Sequence, residues 1–565
     1  MHVVGAAPTI ASRVIGLMVV MIGLSLWVLP IDLSSVTSFD GFLSACDRFA
    51  EFTSAFTSPD FTAGMLQRCA LLAIETVAVA LLGIAIGLAL AYPLAIAACR
   101  AVVIAVGPLP WWKRWIARFV LESARFVLDV LRGVPDFVWA VLLLNITGVN
   151  PVTGLLAIAL SVAGIFGKVL SEYWDSIDGG RYVALRSTGA SSLQVFLYGL
   201  QPLGVRTTLS FVLMRTECAI RNASVIGVVA GGGLGAGLWD EYIDRNWSGV
   251  ATVLLTLLLV TASADLLANL VRRRLREDTN QPSTPRLLAR GRAARRRLQV
   301  FAGIAVVLLG SLFWLREPLT TTWQEVGVID WAYVEQYTVG LFVPSWSMDT
   351  WWQVVCGAAV PIAIGILATI GGGLLASMLV YPASISMQLA SERFTGERVI
   401  LLSRVVRMTS VVLARSVALV MRGIPEVAWL VMLAVFFRSG VTPCIVAVAL
   451  HTAGVLHRVF TESVDDVNYR QLERVGAGRS RTFLYGALPR VWATWRTYGF
   501  FQFEVNMRIG IALGIVGVGG LGLSFRNHLE FRQHEEAAAF LWGMILLTIA
   551  VDRLSRWLQL SRNRC

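Results

Sequence analysis

Leu131-Arg132-Gly133-Val134-Pro135-Asp136 recurs 290 residues later as Met421-Arg422-Gly423-Ile424-Pro425-Glu426, and the following Trp139 recurs as Trp429. The stretch records an internal duplication. It also sets a permanently charged guanidinium beside a Gly-x-Pro, which interrupts a helix, within otherwise apolar sequence. Further along, Gly189-Ala190 recurs as Gly476-Ala477, Phe196-Leu197-Tyr198-Gly199 as Phe483-Leu484-Tyr485-Gly486, Glu217 as Glu504 and Arg221 as Arg508, all at an offset of 287. Three residues have been lost between the two blocks.

The surrounding chain has 565 residues, 56% apolar and 15% charged, with a mean hydropathy of +0.68, which excludes a soluble globular protein. At roughly 20 apolar residues per helix there is room for about a dozen spans. Val14 to Pro30 reads as a retained first span, because no small-residue cleavage site follows it. Further spans are expected at about 66–98, 119–147, 152–174, 204–228 and 248–271, then at 299–315, 355–382, 400–436, 441–461, 492–516 and 538–558. The expected fold is thus an all-α polytopic membrane protein of about 12 transmembrane helices in two parallel six-helix repeats, residues 1–271 and 299–565. An even number of spans gives both repeats one orientation, with the seam between them as the natural pathway.

The net charge of +12 rests on 48 basic residues, all Arg except Lys113 and Lys168. Arg100, Lys113, Arg114, Arg118, Arg181, Arg186 and Arg272 to Arg274 fall on the side expected to be cytoplasmic, which also holds both termini. The outer loop is acidic instead, with Asp32, Asp40, Asp47, Glu51 and Asp60. Residues 272–298, Arg-dense and Pro-containing, read as a cytoplasmic linker touching anionic lipid rather than as a nucleic-acid arm. The seven cysteines lack paired spacing, so no disulfide framework or zinc site is indicated, and most read as small core residues.

Charges within the third span bear on function. Glu122, Arg125, Asp129, Arg132 and Asp136 follow at spacings of 3, 4, 3 and 4, which places them on one helical face. An ionised group at the bilayer centre costs at least ~2.5–3.5 kcal/mol, so this face avoids lipid. Pairing within the helix would account for Glu122, Arg125 and Asp129. Arg132 and Arg422, at the interruptions, offer planar donors suited to a tetrahedral oxyanion, with Asp136 and Glu426 either neutralising or orienting them. Glu217 and Arg221, like Glu504 and Arg508, are four apart. They form intrahelical salt bridges or else line a cavity with Asn222, Ser224 and Asn506. His451 and His457 occur only in the second copy and read as core residues.

Gly517, Gly519 and Gly522 spell a G-x-G-x-x-G with no preceding strand, so with Gly231 to Gly235 they read as turns of close chain approach rather than a dinucleotide site. No G-x-x-x-x-G-K-[ST] occurs, so the chain is not expected to be an ATPase or another enzyme. Asp175 to Pro202 is too polar to cross and becomes amphipathic through Ala184-Leu185, Gly189-Ala190 and Leu193. It recurs from Gln471, and should present a helical face to a partner.

This segment, with Gly-Ala and then Leu488-Pro489 thirteen residues after Gly476, resembles the coupling segment of ABC importer permeases. R-G-[IV]-P-[DE]-x-x-W, H-T-A-G at 451–454, F-E-V-N-x-R at 503–508 and the closing G-x-G-G-[LI]-G resemble the permease subunit of phosphonate importers. The resemblance covers most of 66–271 and 355–558 and implies a type I importer permease with two copies fused. It implies an import role for phosphonate or a related oxyanion, phosphate or phosphite. It further implies two cytoplasmic ATPase subunits carrying the ATP and Mg, an external solute-binding protein, and residence in a bacterial plasma membrane. ATPase contact would fall to Ala184, Leu185, Gly189, Ala190, Leu472, Gly476, Ala477, Leu488 and Pro489. The coupling-segment Glu is Val183 in one copy and Arg470 in the other, Leu-Pro is Gln201-Pro202 in the first, and H-T-A-G is Ser161-Val162-Ala163-Gly164, so docking could be unequal. The alternative is an ion-coupled secondary transporter with two parallel six-helix halves, which needs no coupling helices.

Overall fold

The computed structural model describes residues 7–31, 38–104, 110–277, 286–326, 330–389, 401–437, 440–467 and 478–560. Among them every regular element is a helix. The main ones are α1 (Ala7–Val28), α2 (Phe39–Ser54), α3 (Ala63–Ala98), α4 (Trp111–Gly133), α5 (Asp136–Thr147), α6 (Pro151–Ser176), α7 (Gln201–Ala230), α8 (Gly233–Ile243), α9 (Trp247–Glu277) and α10 (Arg286–Trp314). They continue as α11 (Arg316–Val326), α12 (Trp331–Phe342), α13 (Met348–Ala383), α14 (Leu401–Gly423), α15 (Glu426–Phe437), α16 (Val441–Asp465), α17 (Leu488–Leu513), α18 (Gly520–Glu530) and α19 (His534–Leu560).

The fourth span of each repeat is its hub. Asn150 caps α6 by accepting from the Val152 and Thr153 amides, with Pro151 in the first turn where its missing N–H costs nothing. Gly154, Ala157, Ala159, Ala163, Gly164 and Gly167 then keep α6 slim, and small residues let membrane helices approach closely where no hydrophobic force drives them together. α6 packs against α3, α4, α5 and α7, and α16 packs in the same way against α13, α14, α15 and α17. A Cβ at Gly87 of α3 would lie 2.8 Å from the Ala159 carbonyl, and one at Gly372 of α13 would lie 2.7 Å from the Ala449 carbonyl. The two copies thus use one contact. Of the cysteines, Cys69, Cys99 and Cys444 are buried, whereas Cys356 is exposed.

Seven described helices are long and apolar enough to cross a membrane, or ten if each bent pair is one span. α1 and the charged α4 with the short α5 stand at the other two expected spans. The third span of each repeat is not one continuous helix. Val134 lies in the extended region (φ −83°, ψ 120°) ahead of Pro135, as a residue before proline should, and α14 meets α15 at 96°. The glycine runs form sharp turns. Gly231 adopts φ +75°, and a Cβ at Gly235 would lie 1.9 Å from the Ser224 carbonyl, matching 2.2 Å from Gly522 to the Ile511 carbonyl.

Two compact units form, but they cut the chain differently from the sequence repeats: residues 58–335 make one, and 1–57 with 336–565 the other. Thus α1 packs on α13 of the second repeat, and α10 on α3 of the first. The Arg-rich stretch at 272–298 is helical on both sides of residues 278–285, since α9 runs to Glu277 and α10 begins at Arg286.

Candidate functional site: a duplicated helix break

Each break is braced twice. The indole Nε1 of Trp139 donates to the Leu131 carbonyl at 3.3 Å, and that of Trp429 to the Met421 carbonyl at 3.1 Å. A carbonyl near the end of a helix has no intrahelical partner, so the Trp four residues into the next helix stitches the two segments together. From the other side, α6 and α16 press glycine onto the break: a Cβ at Gly164 would lie 2.4 Å from the Arg132 amide nitrogen, and one at Gly454 2.5 Å from that of Arg422. The H-T-A-G stretch and its counterpart therefore share one contact with the break, through their final Gly.

Arg132 and Arg422 stand in the last turns of α4 and α14, one residue before the helix ends. Asp136 and Glu426 open α5 and α15. Their partners differ. Asn222 Nδ2 of α7 donates to Asp136 Oδ2 at 2.6 Å, whereas Glu426 Oε1 lies 3.2 Å from His451 Nε2. His451 Nδ1 faces the Ile424 carbonyl at 3.3 Å, so both ring nitrogens meet acceptors. His451 is thus a buried, hydrogen-bonded core residue that also holds Glu426. Its replacement by Ala should cost about 1–3 kcal/mol by leaving this carboxylate contact unmade. Part of that loss should return in H451A/E426Q, read from thermal unfolding of the purified chain.

Glu217 and Arg221 pair at 3.7 Å and Glu504 and Arg508 at 2.8 Å, the intrahelical bridges expected. Both carboxylates are buried, and the buried Nε of Arg221 has no hydrogen-bond partner among the described residues. Ser224 donates back to the Arg221 carbonyl. Asn506 is fully buried: its Oδ1 accepts from Thr452 and Gln502, and its Nδ2 donates to Thr369 Oγ1, so it ties α13, α16 and α17 together. His457 meets Thr461 Oγ1 at 3.4 Å.

Pairing within α4 is not how Arg125 and Asp129 are held. Arg125 reaches Asp175 and Asp129 reaches Lys168, both on α6. Reading the repeat for charges as well as motifs would have exposed the first of these, since Arg125 and Asp175 recur as Arg415 and Asp465 at the common offset of 290.

In the segment after α6, Tyr182, Val195, Phe196 and Leu200 bury against Trp174 and Cys99, with Leu185 and Ala190 packed partly onto them. Ala184 and Gly189 are exposed, and Gly189 holds φ +79°, a left-handed turn that favours glycine. Phe196–Leu200 and Thr482–Ala487 each form a π-helical turn. Pro202 and Pro489 come two residues after these turns and lack the N–H that would bond the Tyr198 or Tyr485 carbonyl, which widens the turn. Leu488 and Pro489 start α17, while Leu472, Gly476 and Ala477 lie outside the described residues.

The family of binding-protein-dependent transport system inner membrane components matches residues 104–277, which hold the first break and the segment after α6. The phosphate-import permease protein PhnE of Mycolicibacterium smegmatis is 27% identical over 498 residues, 87% of this chain and 85% of that protein. A putative phosphite transport system permease protein of Stutzerimonas stutzeri is 31% identical over 35% of this chain and 66% of its own length. A putative cryptic phosphonate transport system permease protein of Escherichia coli is 29% identical over 21% of this chain and 98% of its own. No solved structure matches. Residues 104–277 thus match this family of inner membrane components and their motifs recur in the second half of the sequence, so this multi-pass membrane chain resembles a binding-protein-dependent permease with two repeats in one polypeptide.

Proposed function

We propose that this protein is the transmembrane subunit of an ABC importer that moves a phosphorus oxyanion, phosphate, phosphite or phosphonate, into the cell. The observation that carries this reading is the duplicated break itself. Two Arg-Gly-x-Pro-acid turns, each braced by a Trp indole and pressed by a Gly, set an Arg in the last turn of a helix beside interrupted backbone. Such backbone is tolerated at membrane depth where it is buried in protein or lines a cavity. The substrates named for the phosphate, phosphite and phosphonate permeases it resembles fit that chemistry, because three oxygens on one centre match planar guanidinium donors.

The chain has no phosphate-binding loop of its own, so ATP and Mg belong to partner subunits. Two copies of the segment after the fourth span call for two ATPase subunits on the cytoplasmic side, where both termini also lie. A solute-binding protein delivers the anion from outside. Closure of the ATPases turns the path outward, and Arg132 and Arg422 attract the anion while Glu217, Arg221, Glu504 and Arg508 shape its route. Proteoliposomes holding the chain with its ATPase, with the binding protein outside and ATP trapped inside, test this. Labelled phosphate, phosphite or methylphosphonate should accumulate only with ATP and the binding protein, and an uncoupler should have no effect. Accumulation without ATP that an uncoupler abolishes would instead mark an ion-coupled transporter.

A further inference from the structure

We propose that Arg125 with Asp175, and Arg415 with Asp465, are twin clamps that transmit ATPase-driven movement of each coupling segment to the helix bearing Arg132 or Arg422. The inference rests on the importer reading above.

Asp175 is the next-to-last residue of α6, directly ahead of the segment assigned to the ATPase. Its Oδ2 accepts from Arg125 Nη2 at 3.0 Å, and its Oδ1 from the Cys99 thiol at 3.2 Å and the Ala101 amide at 3.1 Å. Arg125 also donates through Nε to the Ala98 carbonyl, at the C-terminus of α3, at 3.1 Å. One ion pair thereby joins the ends of α3 and α6 to the middle of α4. In the second copy Asp465 Oδ2 accepts from Arg415 Nη2 at 3.2 Å, and Oδ1 from Ser384 Oγ at 2.6 Å and the Ser386 amide at 3.0 Å. Arg415 Nε meets the Ala383 carbonyl, the last of α13, at 3.0 Å.

The repetition is informative because the chain between the parts has changed. Ala98 and Arg125 are 27 residues apart, whereas Ala383 and Arg415 are 32 apart, yet the contacts are rebuilt. Cys99 has become Ser384, which keeps a donor on the same carboxylate oxygen. Burial and the adjacent Asp175 carboxylate push the Cys99 thiol up to about 12, so it carries its proton at neutral pH and serves as that donor.

Position supplies the function. Arg125 and Arg132 lie seven residues, or two turns, apart on one face of α4, roughly 10 Å along a rigid rod at 1.5 Å per residue. Arg415 and Arg422 repeat this spacing. An element tied at Asp175 therefore moves the guanidinium at the break with it. A clamp with only a fold-stabilising role would lower hydrolysis and transport together, whereas a transmitting clamp separates them.

The test measures ATP hydrolysed per anion imported, using the ATPase-assembled complex in proteoliposomes with labelled phosphate, phosphite and methylphosphonate as parallel probes. In D175N/D465N this ratio should rise about tenfold, a loss within the usual range of coupling free energies, with ATPase co-purification unchanged. C99A removes one contact and should raise the ratio by a smaller factor, while the conservative C99S restores it; this pair reports even if the double variant fails to assemble. Ratios equal to wild type in C99A and in any assembled D175N/D465N complex overturn the clamp alone. A wild-type complex that hydrolyses ATP and imports none of the three probes overturns the importer reading beneath it.

Discussion

Uptake falls at least about a hundredfold when Arg132 and Arg422 are both replaced by Gln, because each lost charge-assisted hydrogen bond to an anion costs about 1.5–3 kcal/mol. On the proposed route the anion meets one such loss in each half, and 1.4 kcal/mol is already tenfold. Gln keeps a planar amide of similar reach, so helix formation and ATPase attachment should survive; size-exclusion profile and ATPase co-purification check this. R132K/R422K should fall between wild type and the Gln variant, since Lys keeps the charge but loses the fork that grips two oxygens. Wild-type initial rates in the double Gln variant would dismiss the two guanidinium groups as the anion's attractors.

The partners at the two breaks mark where reading the sequence stopped. The duplication, the interruption at Gly-x-Pro and the intrahelical Glu-Arg pairs are all local, so spacing and residue type predict them. Asn222 and His451 are 86 and 25 residues from the carboxylates they hold, and no periodicity links a residue to a partner on another helix. Arg125 shows the same limit, because Glu122 and Asp129 lie at helical spacing and compete on paper with Asp175, which wins through packing of α4 on α6. The exchange of first helices between repeats is likewise invisible to motif comparison, since α1 and the apolar part of α10 share no motif and are placed by contacts with α13 and α3. What the repeat did offer is a second instance of each contact. Where the two copies agree, as at Gly164 and Gly454, geometry is being kept; where they differ, as at Asn222 and His451, the two halves hold the carboxylate in two ways, one with an amide and one with an imidazole.

Valine at Gly164 or Gly454 should abolish transport by displacing the break. The first atom of any side chain at Gly164 would sit 2.4 Å from the Arg132 nitrogen and 2.6 Å from the Leu131 carbonyl carbon, and at Gly454 it would sit 2.5 Å from the Arg422 nitrogen and 2.9 Å from the Ala418 carbonyl. These neighbours are backbone, so no rotamer change relieves the clash, and the helices must part. Overpacking of this kind costs about 1–3 kcal/mol and occasionally more, and the branched Cβ of Val leaves it few orientations in a helix. Alanine is the milder step, already too large by the same distances, and should lower the unfolding temperature measurably in either copy. Gly499 is the internal control: it lies within α17 with open space around its Cβ position, so Ala there should be neutral or stabilising by up to about 1 kcal/mol through helix propensity alone. Equal unfolding temperatures for G164A, G454A and G499A would mean the breaks are not held against α6 and α16. A drop confined to the first two, with uptake lost in G164V and G454V, would tie the placement of both guanidinium groups to two glycines that carry no chemistry of their own.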